Sequence, residues 1–320
     1  MAQGRHADDG NLPRPVSPTC AIIIPTHNRR EDLSRTLAVL ANLAPQPAEI
    51  IVAADGCTDG TVDWLRSSYP RIRVLVHEHA IGSVPSRNEL VAAGTCDILI
   101  SIDDDSYPLA TDFVARVADL FAKNPRLAAV SCPQRSDEFP ETLDAVDFGA
   151  PRFVGSYVNC AAAIRRTVFL ELGGYVGRFV HAYEEPDLVL RCVSAGWQVR
   201  FEPSLLIRHH FTSVQRNEMR THQRHARNEL WSVFLRCPAP QLFVVAIFRI
   251  VRQFGYAWKR GLRWAVREPM WWLAALRGLP QCLRERKPIT WAKYRAWMEL
   301  VRSPLASAAE WNAKFESSAP

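Results

Sequence analysis

The sequence predicts an α/β protein with a mostly parallel sheet, followed by a helical extension at the carboxyl end. Residues 20–127 alternate between short apolar runs and amphipathic segments, which is the pattern of strands joined by right-handed helical crossovers. Several of the apolar runs end in polar residues, and the ligand site of such a sheet lies beyond the carboxyl ends of its strands. Near residue 215 the composition changes to arginine-rich segments with many tryptophans. We therefore expect a ligand-binding domain and a distinct basic extension.

The first half of the domain, residues 20–127, contains predicted strands and helices in strict alternation. The run CAIIIP is continuously apolar and ends in proline, as expected of a strand buried on both faces. In REDLSRTLAVLANL the apolar positions 33, 37, 40 and 43 follow the spacing of an amphipathic helix. The same reasoning predicts strands at AEIIVAAD, IRVLVHE and CDILISID, and helices at GTVDWLRSSY, SVPSRNELVAAG and TDFVARVADLFAKN.

The second half of the domain, residues 128–214, is less regular. Strands are predicted at LAAVSCPQ and within WQVRFEPSLLIRHH, and a short helix at RTVFLELGGY ends in a Gly-Gly turn. The segment EEPDLVLRCVSAG has acidic residues in its first turn and a glycine at its end, as the helix dipole favours. We expect a helix there.

Composition and terminal patterns exclude several classes of protein. Hydrophobic residues make up 48% of the chain and charged residues 22%, which is typical of a globular protein. The eight cysteines show no CxxC spacing, so we expect reduced cysteines in a cytoplasmic protein and neither a zinc site nor a redox motif. Residues 1–19 lack the apolar core of a signal peptide and are predicted to be a disordered leader.

The predicted extension, residues 215–320, is strongly basic. Between positions 215 and 302 there are 18 Lys/Arg against 5 Glu and no Asp, together with seven of the ten tryptophans. Arginines on one side of a helix and aromatic residues on the other are typical of helices that lie on a membrane surface. A helical cap on the first domain is the alternative. No window is long and apolar enough to span a bilayer, and no motif of a nucleic-acid reader is present.

Three consecutive aspartates follow the predicted strand CDILISID. Asp103 and Asp105 would point to the same side if the chain stayed extended, and two carboxylates form an oxygen-rich site suited to Mg²⁺ or Mn²⁺. A solvated acidic turn before the next helix is the alternative. If the triplet is buried, it also needs a counter-charge, which a divalent cation would supply.

Other polar residues at predicted strand ends or helix starts are candidates for the same cleft. Asp55 is placed to accept hydrogen bonds from a base or ribose, or to form an ordinary Asp-Gly turn. Arg87 is placed to reach a pyrophosphate, or to lie on the surface of a helix.

Two further clusters offer a general base and another metal ligand. Neighbouring carboxylates raise one another's pKa, which suits a base, so Glu184, Glu185 and Asp187 are candidates. Acidic residues that simply match the helix dipole are the alternative. His209 and His210 end a predicted strand, where one of them would complete a metal shell or both would be structural.

Taken in order, these motifs resemble the family 2 glycosyltransferases, which are inverting enzymes with the GT-A fold. The resemblance covers residues 21 to about 230 and is carried by IIIPTHNR, IIVAADGCTDGT, GSVPSRNELVAAGTCDILISIDDDSYP, LGGYVGRF, YEEPDLVLR and RHH. It implies a nucleotide-sugar half over 20–127, an acceptor half over 128–214 and a bacterial type of carboxyl-terminal extension.

The resemblance also implies a role for each matching residue. Pro25, Thr26 and Asn28 would belong to the nucleotide-sugar pocket, in which Asp55 would contact the nucleotide base. In the same pocket, the residues along the ribose and diphosphate would be Arg87, Asp103 and Asp104. Asp105, Asp103 and either His209 or His210 would hold the metal, and Gly173-Gly174 would belong to the acceptor-side loop. The catalytic base would be Glu185, with Glu184 and Asp187 as the alternatives, although the family usually has aspartate at this place.

The implied activity is transfer of a hexose or deoxyhexose from a nucleotide-diphosphate donor to a saccharide or lipid-linked saccharide, with Mg²⁺ or Mn²⁺, in cell-surface glycan biosynthesis. The protein would be cytoplasmic and peripheral at the inner face of the membrane, with no nucleic-acid partner. Two alternatives are a non-catalytic membrane-surface module that binds nucleotides and a sugar-phosphate nucleotidyltransferase. The latter would need a glycine-rich loop that IIIPTHNRRED does not provide.

Overall fold

The computed structural model describes residues 17–211 and 217–315. Most of the predicted leader, and the predicted boundary between 214 and 215, lie outside these ranges. Within them the strands are β1 (Cys20–Thr26), β2 (Glu49–Asp55), β3 (Arg73–His77), β4 (Ile98–Ile102), β5 (Ser106–Pro108), β6 (Leu127–Ser131), β7 (Gln134–Ser136), β8 (Arg152–Phe153), β9 (Ala161–Arg165), β10 (Gln198–Phe201) and β11 (Ile207–His209).

Helices alternate with the first strands, as predicted, and then dominate the carboxyl end. They are α1 (Arg30–Leu40), α2 (Thr61–Ser68), α3 (Ser83–Ala93), α4 (Phe113–Lys123), α5 (Arg166–Glu171), α6 (Glu184–Ser194), α7 (Glu218–Arg236), α8 (Gln241–Lys259), α9 (Leu262–Ala265), α10 (Glu268–Arg284), α11 (Trp291–Arg302) and α12 (Ala308–Phe315). All the strands and helices predicted in the first 127 residues are confirmed.

The central sheet is mostly parallel, with the strand order β3-β2-β1-β4-β9-β6-β10-β8. Strand β9 runs antiparallel between β4 and β6, and β8 runs antiparallel to β10 at one edge. No strand was predicted at β9, because three of its five residues are alanine and alanine has little intrinsic preference for strands.

Helices cover both faces of this sheet, and the alternation of side chains along β1 shows how. Ile22 is buried with Leu37 of α1 and Val117 of α4. Its neighbour Ile23 points to the opposite face, into the cluster that contains Leu90 of α3 and residues of α5 and α6. The predicted α/β class is therefore confirmed as a sheet between two helical layers.

A second, small sheet forms beyond the carboxyl end of β4. Strand β11 pairs antiparallel with β5 and parallel with β7. This pairing places His209 opposite both Ser106 and Ser136. As a result, the histidine pair predicted at the end of the domain lies beside the aspartate triplet.

The helical extension is confirmed for α7 to α12. Helix α7 packs against α8 and α10, and α11 packs against α6. Four tryptophans of the extension, Trp231, Trp271, Trp297 and Trp311, are buried, so these helices cap the α/β domain. None of the described helices combines the length and the apolarity needed to cross a membrane.

Candidate active site

A cleft of about 570 Å³ opens at the carboxyl ends of β1, β2 and β4. Five residues predicted from the sequence line it, namely Pro25, Thr26, Asp55, Asp103 and Asp104. On the opposite side the cleft is lined by Asn217, Arg220, Thr221 and Arg224 at the start of α7. The extension therefore contributes directly to the cleft, which no pattern in the sequence indicated.

The aspartate triplet does not continue the extended strand. Strand β4 ends at Ile102, and the chain turns so that the amide of Ser106 donates to the carbonyl of Asp103. The condition that would have placed Asp103 and Asp105 on one strand face is therefore not met. The turn instead distributes the three carboxylates between two arginines.

Arg29 is a counter-charge that the sequence analysis missed. Its guanidinium forms ion pairs with Asp104 at 2.8 Å and with Asp105 at 2.6 Å, and both aspartates are almost fully buried. Burial raises the pKa of Asp104 to about 8, against the opposing charge of Arg29. Burial also acts on Asp105, but His209 and Arg29 outweigh it and lower its pKa to about 2.

Arg87 holds the first aspartate of the triplet. It is 3% exposed, and its guanidinium forms an ion pair with Asp103 and a hydrogen bond with the hydroxyl of Ser101. The alternative of a surface arginine is therefore wrong. Because Asp103 remains partly exposed to the cleft, Arg87 positions a carboxylate that still faces solvent.

His209, Asp103 and Cys160 each place a ligand atom within 4.8 Å of the others. Nε2 of His209 is buried without a hydrogen-bond partner among the described residues, and lies 3.4 Å from Oδ1 of Asp105. An unsatisfied buried nitrogen facing carboxylates is what a metal ligand requires. Burial raises the pKa of the Cys160 thiol well above its usual range, so the thiol stays protonated and is a poor ligand. Asp103 and His209 therefore place an oxygen and a nitrogen where they fit a divalent cation, and Asp105 lies next to His209.

His210 does not join this cluster. Successive residues of a strand point to opposite sides, and the ring of His210 hydrogen-bonds Tyr107 at 2.8 Å and lies 3.4 Å from Asp137. Of the two histidines predicted as metal ligands, the structure therefore places His209 and not His210 beside Asp103.

Asp55 lines the cleft but most of its hydrogen-bonding capacity is used. Its carboxylate accepts the backbone amides of Ile81 and Gly82, both at 2.8 Å, and pairs with Nδ1 of His77 at 2.9 Å. An ionised carboxylate has about four acceptor positions. One position therefore remains for a ligand, while two hold the 80–82 loop against β2 and the third contacts His77 at the end of β3.

Thr26 and Asn28 mainly support neighbouring groups. The hydroxyl of Thr26 donates to Asp104 at 2.8 Å, and the side-chain carbonyl of Asn28 accepts the amide of Thr58 at 2.7 Å. Thr26 and Pro25 line the cleft, whereas Asn28 lies behind it and holds the loop that follows β2.

We call Asp103, Asp105 and His209 the metal-type cluster. Glu184 and Glu185 begin helix α6, and Asp103 of this cluster is close enough for its charge to act on Glu184. Burial, and then the charge of Glu184, raise the pKa of Glu185 to about 8. Burial also raises the pKa of Glu184, whose Oε2 has no hydrogen-bond partner among the described residues. Glu185 is the more exposed of the two. A partly accessible carboxyl group with a raised pKa is suited to accept a proton at neutral pH.

A hydrogen-bonded chain positions this glutamate pair. Asn159 donates its backbone amide to Glu185 and its side-chain amide to Glu184, at 3.2 and 3.0 Å. The hydroxyl of Tyr175 donates to the side-chain carbonyl of Asn159 at 2.6 Å, and Tyr157 in turn contacts Tyr175. The sequence analysis gave none of these three residues a role, because they are brought together only by the fold.

Asp187 has a different environment. It is fully buried, accepts a hydrogen bond from Ser232 at 2.8 Å and forms ion pairs with Arg191 and Arg236. Burial opposes ionisation, but the two arginines outweigh it and lower the pKa of Asp187. A carboxylate so neutralised is a poor base, and these contacts instead join α6 to α7.

Gly173 and Gly174 lie away from the cleft just described. They line a separate cavity of about 900 Å³ between the α5–α6 connection and the extension. Gly174 has φ +64°, and a Cβ there would lie 2.9 Å from Oδ1 of Asn88 and from Cε1 of Phe169. The glycine therefore lets the chain approach Asn88, which accepts the amide of Tyr175 at 2.9 Å.

The sequence profile of Glycosyl transferase family 2 matches residues 21–185, which is more than half of the chain and includes the aspartate triplet and the glutamate pair. The chain belongs to this family. A pre-mycofactocin glycosyltransferase of Mycobacterium tuberculosis is 29% identical over 205 residues, 59% of this chain and 42% of that protein. The succinoglycan biosynthesis protein ExoA of Rhizobium meliloti is 26% identical over 201 residues, 58% of this chain and 61% of that protein. The family 2 chain thus spans less than two thirds of these curated relatives.

Solved structures show that the family 2 chain has the predicted GT-A fold. A mannosyltransferase from Pyrobaculum calidifontis, described in complex with GDP-Man and Mn²⁺, superposes with a TM-score of 0.55 at 18% identity, covering 89% of this chain and 87% of that one. GalNAc-T7, described with UDP, GalNAc and Mn²⁺, gives 0.56 at 15% identity and covers 70% of this chain and 49% of that one.

Proposed function

We propose that this protein is an inverting glycosyltransferase that moves a sugar from a nucleotide-diphosphate donor to a hydroxyl of a saccharide or lipid-linked saccharide in cell-surface glycan biosynthesis. The observation that carries the proposal is that two kinds of acidic residue lie close together. Asp103 and Asp105 are suited to hold a metal, and Glu185 is suited to act as a base. Asp105 lies 3.4 Å from Nε2 of His209, and Asp103 has an oxygen within 4.8 Å of a nitrogen of the same ring, while Glu185 has a pKa raised to about 8. Buried Arg87 pairs with Asp103 and is close enough to Glu185 for its charge to act on both.

The metal-type cluster supports donor binding. Asp103, Asp105 and His209 would hold Mg²⁺ or Mn²⁺, which when bound supplies a positive charge that stabilises the departing diphosphate. Two structural neighbours are described with a nucleotide compound and Mn²⁺, one with UDP and GalNAc and the other with GDP-Man. In this chain Pro25, Thr26 and Asp55 would line the nucleotide side of the cleft.

Arg220 and Arg224 are suited to contact the same diphosphate. Neither guanidinium has a carboxylate partner among the described residues, although both line a cleft rich in aspartates. Burial, and then the like charge of Arg220, lower the pKa of Arg224. A bound dianion would relieve that repulsion.

Glu185 would take the proton of the acceptor hydroxyl. As the acceptor oxygen forms its bond to the anomeric carbon, the bond from that carbon to the diphosphate oxygen breaks, and the nucleoside diphosphate leaves. Because a single displacement occurs on the face opposite the leaving group, the anomeric configuration inverts. Asn159 fixes the carboxyl orientation through its two bonds to the glutamate pair.

The extension would place the protein at the inner face of the cytoplasmic membrane as a peripheral protein. Its basic composition and exposed apolar side chains support this assignment. Such a position would bring the cleft near lipid-linked acceptors.

A panel of UDP-, GDP- and TDP-sugars with Mn²⁺ tests the proposal. We expect metal-dependent binding of one donor by calorimetry and release of its nucleotide, both lost in Asp105→Ala. Glu185→Gln should keep donor binding and lose transfer, and NMR of the product should show an inverted anomer. Absence of metal-dependent binding across the panel would favour a non-catalytic module, and full turnover by Glu185→Gln would overturn the choice of base.

A further inference from the structure

Helix α8 has apolar side chains on its outer side as well as on its inner side. The inner side, with Leu242 and Val245, is buried within the core cluster that includes α7. The outer side carries residues at intervals of three and four, the spacing of one helical stripe. They are Phe243, Ile247, Val251, Phe254 and Trp258, which are 37–63% exposed. A helix in contact with water on its outer side is normally polar there.

The stripe continues onto the next two helices. Leu262 of α9, Val266 between α9 and α10, and Met270, Leu273 and Leu276 of α10 are 56–69% exposed. Phe254 of α8 lies 6.4 Å from Trp272 of α10, measured between ring centroids, so the two helices are neighbours. We call these ten exposed residues of α8, α9 and α10 the apolar face. Contiguous exposed apolar surface of this kind marks an interaction site.

The charges around the apolar face have one sign. Residues 241–284 contain eight Lys/Arg and one acidic residue, Glu268. Glu268 is 1% exposed and is hydrogen-bonded to His222 and Trp271. Every exposed charge on this segment is therefore cationic, with Lys259, Arg263, Arg277 and Arg284 among them.

We propose that the apolar face docks on the surface of an anionic lipid bilayer, with α8 and α10 lying in the plane of the membrane. Apolar side chains would enter the boundary between headgroups and acyl chains, and the surrounding cations would meet lipid phosphates. A second copy of this chain is a weaker fit, because pairing two such faces would bring like charges together. No described helix meets the requirements for crossing a bilayer.

Docking of the apolar face would also fix the position of the cleft relative to the bilayer. Helix α7 packs against α8 and α10 and also carries Arg220 and Arg224 into the cleft. The cleft is thus attached to the apolar face through one helix. If the proposed transferase function holds, the enzyme would act on acceptors carried by the bilayer on which it rests; lipid docking itself does not depend on that function.

Sedimentation of the full-length protein with vesicles tests the proposal without any substrate. Vesicles of phosphatidylcholine alone are compared with vesicles that also contain phosphatidylglycerol. We expect at least about tenfold tighter binding to the anionic vesicles, weakened by salt. Ile247→Glu changes an exposed side chain and should weaken binding at least about tenfold without loss of thermal stability.

Val146→Glu is the matched control, because Val146 is an exposed valine of the α/β domain and its replacement adds the same charge. It should bind vesicles like the unchanged protein. Arg263→Gln combined with Arg277→Gln should remove the preference for anionic lipid. The proposal is overturned if Ile247→Glu binds as well as the unchanged protein, or if the unchanged protein ignores vesicles. It is equally overturned if ultracentrifugation shows a dimer that Ile247→Glu dissociates while vesicles are not bound.

Discussion

Replacing Glu185 by glutamine tests two consequences of one carboxyl group. The first is its pH-dependent effect on the free energy of unfolding, and the second is its proposed role as the base in transfer. The pKa of Glu185 rises from its ordinary value of 4.5 to about 8, chiefly through burial. Each pKa unit corresponds to about 1.4 kcal/mol, so ionising this carboxyl in the folded protein costs up to about 5 kcal/mol more than in the unfolded chain. Glutamine has the same shape and does not ionise.

The sign of the effect on stability follows from proton binding. Below about pH 4.5 the carboxyl is protonated in both states, and between pH 4.5 and about 8 only the folded protein retains the proton. The unchanged protein should therefore lose more stability than Glu185→Gln as pH rises through this window, while the loss that comes from Asp104 and Glu184 is present in both proteins. Urea unfolding followed by tryptophan fluorescence measures the difference, which should reach a few kcal/mol at about pH 8. Glu171→Gln, at an exposed position of α5, keeps Glu185 and should lose stability with rising pH as the unchanged protein does.

The same pKa predicts the pH dependence of transfer. If Glu185 is the base, about a tenth of the enzyme is active one pH unit below the pKa, and the rate should rise about tenfold from pH 7 to 9. Initial rates of nucleotide release from the preferred donor measure this. A flat profile in the unchanged enzyme, or equal unfolding curves for both proteins at all pH values, would refute the reasoning.

Three other substitutions test separate parts of the site. His209→Ala should weaken Mn²⁺-dependent donor binding at least about tenfold in calorimetry, whereas equal losses for His209→Ala and His210→Ala would contradict the assignment. Gly174→Ala adds a methyl group against close neighbours at positive φ and should destabilise the fold by about 2–3 kcal/mol. Gly173→Ala, with open space around it, should cost only about 1 kcal/mol, so equal costs would argue against the steric explanation. Arg29→Met leaves two buried aspartates without their shared counter-charge and should destabilise by about 3–5 kcal/mol in urea unfolding; a loss below about 1 kcal/mol would show that the aspartates are neutral without it.

Most strands and helices of the α/β domain could be predicted from the sequence, because strands and helices differ in hydrophobic period. Strand β1 is a continuous apolar run and α1 has helical spacing, so both were predictable. Strand β9 was not, since it is stabilised by pairing with β4 and β6 on both sides and not by its own residues. Pairing between distant segments leaves no local signal.

The acidic residues of the site could be found from the sequence, but their partners could not. Asp103 and Glu185 stand next to a strand end and a helix start, which are recognisable in isolation. Arg29 lies 75 and 76 positions before the aspartates that it neutralises, and one arginine among several in THNRRED has no distinguishing mark. Asn159 likewise becomes significant only when β9 brings its segment to α6.

Helix α7 connects the cleft with the apolar face, and this connection was not predicted from the sequence. Its first turns carry Arg220 and Arg224 into the cleft, and its other sides pack against α8 and α10. Buried Asp187 further joins this helix to α6, on which Glu185 stands. A change in the position of α7 would therefore move Arg220 and Arg224 relative to the proposed base. Contact of the apolar face with a bilayer acts on the same helix, so membrane binding and donor binding should be thermodynamically coupled in both directions.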